Sequence, residues 1–92
     1  MTAEPRWQLR MAGSAERALS KLPDKAAAAV IEFILGPLLD APRRVGKPLR
    51  GDQAGRWAAR RGPYRVIYEL DEAEHAVRLL HLDHRANVYR PR

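Results

Sequence analysis

Arg85 and Tyr89 stand four residues apart near the C-terminus, and His84 directly precedes the arginine. A guanidinium can donate to two phosphate oxygens at once. A phenol can stack on a base or take a proton. An imidazole titrates near neutrality, which makes His84 a candidate proton donor. Each also has an ordinary reading, Tyr89 as a half-buried sheet residue and His84 as an exposed loop histidine. Their company raises the stakes. Arg43, Arg44, Lys47, Arg50, Arg56, Arg60, Arg61 and Arg65 fall within 23 positions, opposed only by Asp52, so the segment carries +7 in a chain of net charge +6. Concentrated positive charge is the usual footprint of a polyanion. Guanidiniums, an imidazole and a phenol meeting at one phosphodiester would suit nucleic-acid chemistry.

The elements that must position these groups are legible as periodicities. Trp7, Leu9 and Met11 alternate with Arg6, Gln8 and Arg10, the pattern of a strand with one buried face. Gly13 ends it, and Ser14 is expected to cap a short helix carrying Ala15, Ala18, Leu19 and Leu22 at helical spacing. Pro23 breaks that helix and suits the first turn of a second, alanine-rich one over 24–35, which Gly36-Pro37 ends or kinks. With almost no loop between them the two helices form a hairpin. Residues 40–55 read as a basic surface loop. Strands are expected over 56–60, 64–70 and 76–82, with a short last one at 88–90. The order β-α-α-β-β-β places a helical hairpin on one face of a small, twisted antiparallel sheet, an α+β fold.

Alternation then sorts the basic residues. Val66, Tyr68 and Leu70 should meet the helices, so Arg65 points to the open face. If Trp57 is inward, Arg56 and Arg60 join Arg65 there. Several guanidiniums on one face repel each other, and an anion relieves that. The plainer alternative is a solvated cationic face with weak ion pairs to Glu69, Glu72 or Glu74. Trp7 and Trp57 belong to the core rather than to base stacking, because each sits on an apolar strand face. His75 and His81 read as a turn residue and a strand residue.

Composition narrows the class. Ninety-two residues, 46% of them apolar, fit one folded domain over 1–92. The absence of cysteine excludes a disulfide framework and a thiolate metal site, and fits the cytoplasm. Glu32 interrupts the longest apolar stretch, Ala26 to Leu35, so no membrane span is expected. The first residues lack a signal-peptide pattern. The glycines at 46, 51 and 55 are not a P-loop, since no Gly-Lys-Ser/Thr follows.

Four segments in order carry a resemblance: residues 14–23, Lys47-Pro48-Leu49-Arg50-Gly51, Gly62-Pro63-Tyr64-Arg65-Val66-Ile67-Tyr68, and His84-Arg85 followed by Val88-Tyr89-Arg90. Together they resemble the RelE-type toxins of the RelE/ParE superfamily over nearly the whole chain. The resemblance implies a toxin restrained by a cognate antitoxin, which cleaves mRNA in the ribosomal A site without metal or cofactor. The 2′-hydroxyl attacks the adjacent phosphorus and the 5′-oxygen leaves. It also implies roles: Arg65 stabilises phosphate charge, Arg85 meets the scissile phosphate, and Tyr89 lies by the nucleophile. Arginine four residues before tyrosine favours this branch over the gyrase-directed one. Where some members carry two lysines, this chain has Arg56 and Ala58. The group that protonates the leaving oxygen therefore stays open, with His84 a substitute and Arg60 or Arg61 sources of charge. A non-enzymatic gyrase inhibitor and a weak homologue that only binds antitoxin are the alternatives.

Overall fold

The computed structural model describes residues 6–84, so Arg85, Tyr89 and the strand expected at 88–90 lie outside the described residues. Among the described residues five strands form one sheet: β1 (Gln8–Met11), β2 (Gly46–Pro48), β3 (Trp57–Arg61), β4 (Tyr64–Asp71) and β5 (Ala76–His84). Their order across the sheet is β1-β5-β4-β3-β2. The helices are α1 (Gly13–Ser20), α2 (Asp24–Phe33) and a short α3 (Pro42–Val45). No helix among the described residues is long and apolar enough to cross a membrane.

The α+β arrangement with helices on one sheet face is as expected, and the details differ in several places. β1 runs parallel to β5, while the other pairings are antiparallel. The stretch read as a basic loop contains α3 and β2, the latter paired with β3. Ser14 is not the helix cap: Ala12 precedes α1, and the Ser14 hydroxyl donates to the Leu80 carbonyl at 2.5 Å. That bond ties α1 to β5. Pro37 does not stop the second helix outright. The chain widens into a π turn over Ile34–Leu38, which absorbs the missing N–H.

Val30, Ile34 and Leu38 recur every fourth residue and are fully or almost fully buried. They pack with Leu39, Ala15 and Trp7 on Ala59, Val66, Tyr68, Val77, Leu79 and Leu82 from the sheet. Trp57 packs half-buried against the same cluster. Tyr68 is the largest fully buried side chain, and its hydroxyl donates to the Pro42 carbonyl at 2.6 Å. Gly46 on β2 sits against that hydroxyl. At the far end of β4, Trp7 stacks on His75 with centroids 4.0 Å apart.

Candidate functional site on the open sheet face

Residues opposite one another on neighbouring strands share a face. Arg65 on β4 stands opposite Arg60 on β3 and Asp83 on β5. The next row runs Lys47, Ala58, Ile67, His81, and the one after joins Arg10, Arg78 and Glu69. These rows cover the face away from the helices.

β5 reaches this arrangement through a bulge. Ile67 pairs with His81 but Tyr68 pairs with Leu79, so Leu80 is an extra residue. Period-two alternation from the buried Val77 and Leu79 would turn His81 and Asp83 into the core. The bulge reverses the remainder of the strand: Leu82 becomes buried, and His81 and Asp83 turn to the open face.

The side chains there are linked. Arg65 Nη2 donates to Asp83 Oδ2 at 3.2 Å, and Asp83 Oδ1 lies 2.7 Å from His81 Nε2. Arg65 Nε is buried with no hydrogen-bond acceptor among the described residues. A cleft of about 410 Å³ joins Arg65, Asp83 and His81 to Arg50, Gln53 and Arg56. Arg56 is steadied by Gln53, with Nη1 to Oε1 at 3.0 Å, and its Nε is 4.0 Å from Glu69. A second cleft, about 430 Å³, runs from Arg65 past Arg60 and Ala58 to Lys47. Arg65 thus stands between two cation-lined depressions, and a strand of polyanion lying across them would meet it midway.

The expected set is therefore divided. Lys47, Arg50, Arg56 and Arg60 surround Arg65. Arg43 does not: its guanidinium pairs with Glu72 and lies over the Trp7 ring, 5.4 Å from the centroid. Seven residues of extended chain separate 65 from 72, roughly 20 Å. Arg44 is exposed on α3 beside it. Arg61 shares its register position with Tyr64 and His84 on the helix side, and lines a groove with Lys25 and Ala26 of α2. His84 is likewise turned from Arg65, with its ring edge-on to Tyr64 at 5.0 Å. It lines neither Arg65 cleft, but shares a neighbouring one beside α1 with His81 and Asp83. Asp83 and His81 were missed as site residues. The Leu79-Leu80 doublet, which breaks the alternation of β5, was the signal for them.

The family described as ParE toxin of type II toxin–antitoxin system, parDE, matches residues 9–89. Toxin RelE of Mycobacterium tuberculosis is 44% identical over 90 residues, 98% of this chain and 93% of that protein. Toxin RelG of the same organism is 48% identical over 84 residues, 91% of this chain and 97% of that protein. A crystal structure of the RelBE2 toxin–antitoxin complex from M. tuberculosis superposes with a TM-score of 0.85 at 46% identity, covering 88% of this chain and all of the matched one.

Proposed function

Because this chain belongs to the ParE toxin family of type II toxin–antitoxin systems, within the RelE/ParE superfamily, we propose that it acts as a RelE-type, ribosome-dependent mRNA endonuclease. The observation that carries this reading is Arg65, fixed on a central strand with a buried Nε that has no acceptor among the described residues, between two clefts lined by Arg60, Arg56, Arg50 and Lys47. A pentavalent phosphate gains most from donors that are already in place. Arg65 spends one N–H on Asp83 and keeps others for phosphate oxygens. In the reaction the 2′-hydroxyl attacks phosphorus and the 5′-oxygen departs. Arg65 and Arg85 hold the non-bridging oxygens, and Tyr89 orients or deprotonates the 2′-hydroxyl. The Lys47 ammonium, beside Ala58 on β2, supplies charge near the position where some relatives carry a lysine.

RelBE2 is a toxin–antitoxin complex, and we assign this chain a partner of the same kind, an acidic amphipathic antitoxin. Primer extension on mRNA after induction should show cuts within codons, relieved by co-expressing the antitoxin. The gyrase-inhibitor reading has one observation in its favour, the ParE description of the matching family. Intact mRNA accompanied by DNA damage would select it instead.

Ribosome binding should follow the division of the basic residues. For single strands the logarithm of affinity falls by about 0.7 per phosphate neutralised for each decade of salt. Lys47→Glu with Arg60→Glu should weaken co-sedimentation with ribosomes and flatten its salt dependence. Arg43→Gln, at the far end of β4, should change neither. Equal effects from the two sets would mean that binding is not centred on the Arg65 face.

A further inference from the structure

We propose that His81 is the general acid of this reaction, anchored by Asp83; this rests on the ribonuclease reading above. Three observations converge on it. The bulge at Leu80 is what brings His81 and Asp83 to the face of Arg65, and bulges commonly re-aim side chains beside functional sites. Asp83 holds His81 Nε2 at 2.7 Å with one oxygen and Arg65 Nη2 at 3.2 Å with the other, so imidazole, carboxylate and guanidinium form one chain across β5 and β4. Finally, His81 closes the row that contains Ala58. Ala58 carries no proton, and the arginines of the cleft release theirs too reluctantly to serve.

The anchored geometry selects the nitrogen. Nε2 lies 2.7 Å from Asp83 Oδ1, which leaves Nδ1, at the other side of the ring, for the substrate. The His81 side chain is half exposed and the Asp83 side chain is 25% exposed, so the ring edge is accessible while its anchor is sheltered. The cleft beside the ring is also lined by Arg65 from β4 and by Arg50 and Arg56 from the segment before β3, and a neighbouring cleft by Arg17 of α1, Lys21 just after it and His84. In the step itself, the 2′-hydroxyl loses its proton to the base and its oxygen bonds to phosphorus. The bond from phosphorus to the 5′-oxygen breaks with its electron pair going to that oxygen. The oxygen takes the proton from Nδ1. The products are a 2′,3′-cyclic phosphate and a 5′-hydroxyl, and His81 is left neutral until solvent reprotonates it.

A leaving-group substitution tests this. Single-turnover cleavage on programmed ribosomes is measured with ordinary mRNA and with mRNA whose cleaved linkage carries sulfur in place of the bridging 5′-oxygen. A thiolate departs without a proton. His81→Gln should slow ordinary cleavage by about 10²–10⁴-fold, the usual contribution of a positioned acid, and come within about tenfold of wild type on the sulfur linkage. Asp83→Asn should show a smaller loss with the same rescue, and antitoxin binding reports folding of both variants. If His81→Gln is equally slow on both substrates, the residue only shapes the site and the proposal falls. It falls too if His81→Gln cleaves ordinary mRNA at the wild-type rate. A wild-type protein that cleaves neither substrate would overturn the ribonuclease reading itself.

Discussion

Arg65→Ala should lower the single-turnover rate of mRNA cleavage on programmed ribosomes by at least about 10²–10³-fold, the typical cost of removing one preorganised donor from a developing oxyanion. Folding should survive. The Arg65 side chain is 41% exposed, and the Asp83 left behind keeps His81 as a partner. Arg65→Lys retains the charge but not the planar fork, so it should recover only part of the rate. Arg85→Ala and Tyr89→Phe should act in the same direction. Growth arrest on induction and circular dichroism complete the measurement. Wild-type cleavage by Arg65→Ala and Arg85→Ala together would remove the catalytic role from this face.

Gly46→Ala should be the most damaging small substitution in the fold. A β-carbon there would fall inside the van der Waals sphere of the Tyr68 hydroxyl oxygen, 2.9 Å from its ring carbon Cζ and 3.2 Å from the Ala58 carbonyl. Two of these atoms belong to a fully buried ring and the third to the backbone of β3, so none yields easily. Moving the ring would also break the bond from Tyr68 to the Pro42 carbonyl. Overpacking costs roughly 1–3 kcal/mol and an orphaned buried polar group a similar amount, so a loss of about 3 kcal/mol is expected in urea unfolding. Tyr68→Phe removes the clashing oxygen. The double variant should therefore be less destabilised than the sum of the two single changes, a coupling that a mutant cycle measures. Simple additivity would show that the hydroxyl is not what excludes a side chain from Gly46. The same tyrosine introduces a pH dependence. Burial pushes its phenol up to about 12. The folded state then holds a proton that the unfolded state releases near pH 10. That contribution is complete below pH 10 and is lost as pH rises through about 12. Tyr68→Phe should lack it.

Much of the architecture was legible because burial imposes periodicity. The helical stripe that contains Val30 and Ile34 and the alternation through Val66, Tyr68 and Leu70 are readable without coordinates, and they place Arg65 outward correctly. The β2 strand was not legible. Three residues with a glycine and a proline have too little pattern, and only pairing with β3 makes them a strand. The destination of Arg43 was equally hidden. A cluster in sequence need not be one in space, and Glu72 and Trp7 reach it from distant parts of the chain.

What the amino-acid order settles by itself is the fold class and the outward direction of Arg65, which follow from local periodicity, and the family resemblance, which its four motif segments carry. The company Arg65 keeps is decided by strand register. Register is a relation between strands, and a single extra residue in one of them reverses every side chain beyond it. On β5 that residue is Leu80. Counting in twos along the strand sends His81 to the core and leaves the site without it. The bulge, which exists only in the pairing of β5 with β4, sends His81 and Asp83 to Arg65 and turns His84 away.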